Sequence, residues 1–431
     1  MRCFKRMVVI LKNMERSKPK TICIVAPEYI YANPRTVKEA DALWQAGFDV
    51  RVVFSQGNLE MIKYFDDILL KEKPWRYSIV GWSPLRKKER ILYFKSKLRY
   101  HIFRRLPALF YSLGKLAEHG EGRIYRELAR LAALEKADIY IGHYPTGLAA
   151  AAYAASHWKA KLGYDFEDLY AEEHPQNKKQ TKRIKTIESR YLHNHPYVSC
   201  VSELIADEIV KSYNIGRPTV IHNVFPWSER DKIDGQIKDR RGSSLSLYWH
   251  SQVIGEYRGI QDAIRAAGLL KERVQIHLRG YLSEEVKNNF SALAKECGVE
   301  QDLYFHPPVP PTELLSRTVE HDVGLALDQP VNLSRRLTVS NKFFFYLLAG
   351  LAIAATDIPG QRYIMSTCPD VGFLYPPGDF KALAGHLYRL ISEPNLLQTY
   401  KQAALRAAKE RWNWEIESKK LVENIEHLFN E

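Results

Sequence analysis

The residues best suited to chemistry lie in one stretch, Val339–Gly360, which reads VSNKFFFYLLAGLAIAATDIPG. Ser340 and Asn341 are favourable helix N-cap residues, and Phe343, Phe344, Leu347 and Leu348 follow at helical spacing. Gly350 suits a left-handed turn that ends this helix. Leu351–Thr356 then reads as a buried strand, and Asp357–Gly360 as the turn after it. A helix N-terminus carries free N–H groups and partial positive charge, so it can hold a phosphate. Lys342 falls in the first turn, where a cation is disfavoured, and an incoming anion removes that conflict. The stretch reads either as half of a diphosphate clamp or as an ordinary capped helix with a solvated lysine.

The elements that would position such a site recur along the chain. From Lys20, short apolar strands alternate with amphipathic helices: Thr21–Ala26, Val50–Phe54, Asp138–Gly142, Leu162–Asp165, Tyr197–Val201 and Thr219–Ile221 are the strands expected first. The first helix is expected near Thr36–Ala46. Residues 226–243 are polar and charged and contain Gly235 and Gly242, so they read as a linker. A second series follows: Leu245–Trp249, Val274–Leu278, Leu303–Phe305, Asp322–Leu327, Leu351–Ala355 and Gly372–Leu374. This βαβα order implies α/β architecture, with two parallel sheets covered by helices on both faces. The expected division is a basic lead-in over 1–18, a Rossmann-like domain over 19–225, the linker, and a second Rossmann-like domain over 244–414. The last helix, 415–431, is expected to pack back on the first domain. Two such domains facing across a cleft would bind ligands beyond the carboxyl ends of their strands. The loops there hold Asn33, Arg35, His143, Asp165, Glu167, Asp168, Ser251, Gly255, Gly280 and Asp328.

Composition narrows the setting. The chain has 431 residues, 45% of them hydrophobic and 26% charged, as in a folded protein of two or three domains. Its 63 basic and 50 acidic residues give a net charge of +13, which favours anionic partners without choosing among them. Five scattered cysteines with no C-x-x-C pair make disulfides and thiolate metal sites unexpected and suit a reducing cytosol. The longest apolar run, Phe343–Ala355, is too short to span a bilayer, and the N-terminus lacks a signal-peptide pattern. Arg86–Arg105 carries nine Lys/Arg and one Glu, with Ile91, Phe94, Leu98, Ile102 and Leu106 at helical spacing. This is the pattern of a basic amphipathic helix for an anionic membrane surface, with Arg86, Lys87, Lys95, Lys97 and Arg99 facing the lipid. It also fits a helix that packs on the first domain with a solvated basic face.

The ordered set of segments resembles the retaining glycosyltransferases of family four, which have the GT-B fold. In the second half, WHSQVIGEYRGI resembles the family's strand–loop–Arg/Lys-Gly segment and HLRGY its next strand and glycine. DVGLAL and SNKFFFYLLAGLAIAATDIPGQ resemble its donor-site strand and helix. In the first half, ANPRTVKEADALWQAGFDVRVV, DIYIGHYPTGLAAA, VSELIADEI and VIHNVFP resemble its opening loop and helix, its strand-His-loop-helix, its Ser-led helix and its domain exit. The resemblance covers nearly the whole chain from about Lys20 and does not specify donor or acceptor sugar.

The resemblance implies transfer of a sugar from a nucleotide-diphosphate donor to a glycan or lipid-linked acceptor, plausibly in surface-polysaccharide assembly. The enzyme would be cytoplasmic, at most peripheral at the inner face of a membrane. Arg258 and Lys342 match the cations on the donor diphosphate, with Ser340, Asn341, Ser251, Gly255, Gly280 and Asp328 beside them. Paired cations stabilise the charge that develops on a departing diphosphate. No metal or other cofactor is implied if they do so, and no Asp-x-Asp motif is present. His143 matches an acceptor-side histidine whose neutral imidazole would position a hydroxyl. Asp165 or Glu167 would orient that hydroxyl or act as base, and Asn33 and Arg35 would line the acceptor side. The chain departs from the family at Leu337 and Phe345, where many members carry a glutamate pair that contacts the ribose and sugar, and at Ser251, where an arginine is common. These departures favour either an unusual donor or a non-catalytic GT-B protein that binds a sugar or a partner. Nucleic-acid binding is suggested by charge alone and is not expected.

Overall fold

The computed structural model describes residues 19–193, 197–256, 258–271 and 273–430. The basic lead-in expected over 1–18 lies outside the described residues. The chain divides into two compact units. The first runs up to Ser199 and includes Tyr213–Pro218 and the chain from Leu421; the second is Cys200–Ser212 with Thr219–Lys420.

The first sheet has seven strands: β1 (Thr21–Val25), β2 (Asp49–Gln56), β3 (Arg76–Gly81), β4 (Ile139–His143), β5 (Lys161–Phe166), β6 (Tyr197–Cys200) and β7 (Thr219–Val220). Their order is β3-β2-β1-β4-β5-β6-β7. Pairing is parallel through the centre, with Ile22 opposite both Val50 and Ile139. β1 is TICIV, buried after its first residue, because helices cover a parallel sheet on both faces. β3 is absent from the strands expected above. It is an edge strand whose first two residues are exposed, so it lacks the apolar run that marks the central strands.

The second sheet has six strands: β8 (Leu245–Val253), β9 (Val274–Tyr281), β10 (Leu303–His306), β11 (Val323–Ala326), β12 (Ala352–Thr356) and β13 (Gly372–Tyr375). Their order is β10-β9-β8-β11-β12-β13. Leu247, Leu278, Leu325 and Ala354 lie in one buried core with Ile260, Ile264 and Leu387 from the covering helices. Gly350 ends the Asn341–Ala349 helix at φ 77°, the left-handed conformation expected of it.

Strand order reverses between β1 and β4 in the first sheet and between β8 and β11 in the second. In open α/β sheets the crevice beyond the strand ends at such a reversal is where ligands bind. Asn33, just before the Pro34–Gln45 helix, and His143 flank the first reversal, and Arg258 after β8 and Asp328 after β11 flank the second.

Candidate functional site

In the second unit, the helix Asn341–Ala349 begins just after Ser340, whose side chain makes no capping bond. The first-turn amides therefore keep donors that no side chain satisfies. Lys342 lies in that turn with its ammonium 5.2 Å from the centre of the Trp249 ring in β8. Burial lowers its pKa, and the nearby Arg258 and Arg335 lower it further, against the opposing pull of Asp328. The four charges lie in one another's field. Arg258 and Lys342 donate no side-chain hydrogen bond to any described residue.

Arg258 is carried there by the residue after it. Gly259 has φ 75° and caps the Ile260–Leu270 helix. A Cβ on Gly259 would lie 2.5 Å from the carbonyl oxygen of Leu327, so only glycine lets the loop after β8 close on the end of β11. That approach sets Arg258 near Asp328. Asp328 is fixed through its backbone: its carbonyl accepts from Thr356 Oγ1 at 2.6 Å, and Thr356 Oγ1 accepts from Gln361 Nε2 at 2.9 Å. Its carboxylate keeps unused acceptor capacity. Oδ1 is 3.9 Å from Arg335 Nη1, and the buried Oδ2 has no hydrogen-bond partner among the described residues. Three cations against one carboxylate leave a surplus of two positive charges, the charge of one nucleotide-sugar pyrophosphate with opposite sign.

The other second-unit candidates take varied places. Asn341 is exposed at the helix start. Ser251 lies within β8 and is partly buried. Gly280 has φ 152°, and a Cβ there would lie 2.4 Å from the Ser251 carbonyl, so this glycine serves strand packing. A Cβ on Gly255 would meet nothing within 4 Å, so no protein neighbour requires a glycine there. Phe345 is buried with its ring 5.0 Å from His250 and 4.9 Å from Phe225. Burial and Lys342 push the His250 imidazole down to about 3, so it is neutral.

In the first unit the structure gathers Arg35, His143, Asp165 and Glu167 into one buried network and adds Glu39 and Ser199, which sequence reasoning missed. Arg35 Nε and Nη2 donate to Asp165 Oδ2 and Oδ1 at 2.6 and 2.7 Å. Ser199 Oγ donates to Asp165 Oδ1 at 2.5 Å. His143 Nε2 lies 3.0 Å from Glu39 Oε2, and Nδ1 lies 3.0 Å from Glu167 Oε1. Arg35 Nε is also 3.3 Å from Glu39 Oε1. The Arg35–Glu39 spacing of four residues on one helix face was the legible signal for Glu39. Ser199 gave none.

These contacts correct three expectations. His143 is not a neutral imidazole with a free nitrogen. Burial alone would lower its pKa, but Glu39 and Glu167 on its two nitrogens hold it up at about 10, so the ring is cationic. Arg35 does not reach outward, because its guanidinium is fully buried against Asp165. Asn33 is buried as the N-cap of the Pro34–Gln45 helix, its Oδ1 accepting from Thr36 N at 3.1 Å. Glu167, with 15% of its side chain exposed, is the member of the network nearest to solvent. Glu39, His143 and Asp165 also offer three ligand atoms within 4.8 Å of one another. The Arg35 guanidinium, touching both carboxylates, already supplies the positive charge a metal ion would bring.

The basic helix forms over Arg90–Arg105. Lys87, Lys95 and Lys97 on and beside it are exposed as expected. Arg86 and Arg99 are not membrane-facing. Arg86 bonds Glu89 Oε1 at 2.8 Å and Glu60 Oε1 at 3.0 Å, and Arg99 bonds Glu127 at 2.6 and 3.0 Å. Their long stems let the guanidinium groups turn back to carboxylates on the same unit.

No protein-family model matches the chain, and no curated protein sequence matches it. Its backbone does match solved structures over nearly the whole length. A glycosyltransferase from Rickettsia africae superposes with TM-score 0.67 at 15% identity, covering 96% of this chain and all of that one. The fold is GT-B. Sucrose-phosphate synthase from Thermosynechococcus elongatus gives TM-score 0.66 at 14% identity, over 95% of this chain and 99% of its own. Anabaena Alr3699/HepE, solved in complex with UDP, gives 0.65 at 12% identity, over 94% and 100%. At these identities the likeness is one of fold, and Arg258 and Lys342 both lie in the second compact unit.

Proposed function

We propose that this chain is a glycosyltransferase that moves a sugar from a nucleotide-diphosphate donor to a glycan or lipid-linked acceptor. The observation that carries the reading is the shared position of Arg258 and Lys342 beside a helix start that no side chain caps. In this reading the pyrophosphate lies on the Asn341–Ala349 helix N-terminus, where first-turn amides donate to it. Lys342 and Arg258 neutralise it, and their stabilisation grows as the diphosphate leaves with an additional negative charge. Arg335 adds a third cation, and the open Asp328 carboxylate takes a donor hydroxyl in place of the missing glutamates. No metal ion or other cofactor takes part.

The acceptor is assigned to the first unit, with Glu167 as the group that orients its hydroxyl. The His143 cation holds Glu167 in place through Nδ1, and Glu39 on the other ring nitrogen fixes that imidazole. Retention of configuration, transfer of a hexose and a role in surface-polysaccharide assembly belong to the same reading. They are supported by the resemblance and by fold neighbours such as the lipopolysaccharide outer core galactosyltransferase WaaB and TarM. So does a cytoplasmic location with peripheral contact at the inner face of a membrane.

A thermal-shift screen of nucleotide diphosphates and nucleotide-sugars tests the donor site, because a ligand that binds only the folded state raises its apparent stability. The reading expects at least one such ligand to raise Tm, and Lys342→Ala to reduce the rise at the same ligand concentration. A second reading, a non-catalytic GT-B protein, is favoured by the buried Phe345. It expects ligand binding without transfer or donor hydrolysis.

A further inference from the structure

The stretch from Leu85 to Lys115 presents an unusual surface. The Arg90–Arg105 helix fully buries only Ser96. Its inner side is held by Tyr93, which stacks on Trp82 at 6.4 Å, and by the Arg123 guanidinium, 4.2 Å from the centre of the Tyr93 ring. Its outer side carries Ile91, Phe94, Leu98 and Ile102 at spacings of three, four and four, each more than half exposed. Single exposed apolar residues are ordinary on protein surfaces, whereas a stripe of four bulky ones on a single helix is not.

A second apolar group follows at once. Tyr111 is buried and donates to the Leu106 carbonyl at 3.2 Å, while Arg190 donates to the Tyr111 and Ser112 carbonyls at 3.1 and 3.0 Å. The turn so fixed leaves Leu109, Phe110 and Leu113 outside, Leu109 at 71% exposure. The charge around them is one-sided. Glu89 is the single acidic residue between Arg86 and Lys115, and its carboxylate is occupied by Arg86 and by the Ser83 amide at 2.9 Å. Lys87, Lys95, Lys97, Arg104 and Arg105 are exposed beside the stripe.

We infer that this two-part surface seats the chain on an anionic bilayer. The apolar side chains of the helix and of the 106–113 turn enter the acyl boundary, and the exposed lysines and arginines meet lipid phosphates. Charge complementarity selects the bilayer over a second copy of the chain, because two such surfaces would oppose like charges. No helix of the described residues is long and apolar enough to cross a membrane, so the contact is interfacial. The inference deepens the peripheral-membrane part of the functional reading and does not depend on sugar transfer.

The test is co-sedimentation of the full chain with vesicles of phosphatidylcholine alone and of phosphatidylcholine with phosphatidylglycerol. The chain is expected to bind the anionic vesicles, to bind neutral ones far less, and to release with salt. Lys95→Ala and Lys97→Ala should each lower the partition coefficient about fivefold. Leu98→Asp and Leu109→Ser, at exposed positions that leave the fold intact by circular dichroism, should each lower it by more than either lysine variant. Equal binding to both vesicle types, or unchanged binding of Leu98→Asp and Leu109→Ser, overturns the inference. So does a chain that ignores vesicles and forms a dimer that Leu98→Asp dissociates. Nucleotide-dependent thermal shifts on the same preparations report the donor site separately, so failure of one reading does not mask the other.

Discussion

Arg35 and Asp165, 130 residues apart, form a two-pronged ion pair with both side chains fully buried. Removing one partner takes from the other buried charge its two-pronged counter-ion and leaves only the weaker contacts to Glu39, Ser199 or His143, so Arg35→Ala or Asp165→Asn is expected to cost about 3–5 kcal/mol of unfolding free energy. Arg35→Lys should not rescue it, since an ammonium cannot reproduce the two parallel bonds. Urea unfolding of the three variants measures this, and a loss below about 1 kcal/mol would show the pair to be solvated.

His143 sets the sign of a pH effect. Its folded pKa, about 10, lies above its ordinary value of 6.5. Between these values the folded state holds a proton that the unfolded state has released. The stabilisation is complete below about pH 6.5 and is lost as pH rises through about 10. Unfolding free energy of the native chain should therefore fall over that window more steeply than that of His143→Gln. Parallel slopes for the two proteins would mean that the ring is neutral.

Glu188 gives a second titration of different origin. Its carboxyl is buried against the hydroxyls of Tyr213 and Tyr164, and burial raises its pKa to about 8 from an ordinary 4.5. The folded state therefore binds the proton more tightly, and this stability is lost as pH rises from about 4.5 to about 8. Glu188→Gln, neutral and of the same shape, should match the native chain near pH 5 and exceed it near pH 8 in thermal unfolding.

Lys342→Ala and Arg258→Ala are each expected to weaken nucleotide-diphosphate binding by about 10- to 100-fold, the worth of a hydrogen bond to a charged group. Neither should lower stability without ligand, because Lys342 is already destabilised by burial and by two neighbouring guanidinium groups. Isothermal titration with UDP and other nucleotide diphosphates, beside Tm without ligand, checks both halves.

Gly259→Ala joins the backbone to the site. The left-handed φ and the Leu327 carbonyl, 2.5 Å from the added Cβ, both oppose the change. A cost of about 1–3 kcal/mol is expected, and donor affinity should fall although no ligand contact has been removed, because Arg258 is displaced. Gly255→Ala, open to solvent by the same geometry, is the control.

The chain's periodicity was enough to place the central strands, the Asn341–Ala349 helix with its glycine stop, and two parallel-sheet α/β domains, while the GT-B architecture was read through the resemblance. Those features follow from interactions within a few residues and from burial on both faces of a parallel sheet, which leave apolar runs in the sequence. The edge strand β3 left no such run and was not legible. Lys342 and Arg258 were brought together at the level of sequence only through the resemblance of RG and NK segments that lie 84 residues apart.

What sequence could not decide was which charged groups face water. Arg35, His143 and Asp165 looked like outward loop residues, and Arg86 and Arg99 like lipid-facing ones. A side chain's exposure and protonation depend on what the fold brings against it, and Asp165, Ser199, Glu39 and Glu127 come from distant segments. Local pattern therefore determined the elements and their order. Tertiary contact alone decided that one arginine and one histidine are buried cations, and that the apolar stripe beside exposed lysines is left uncovered.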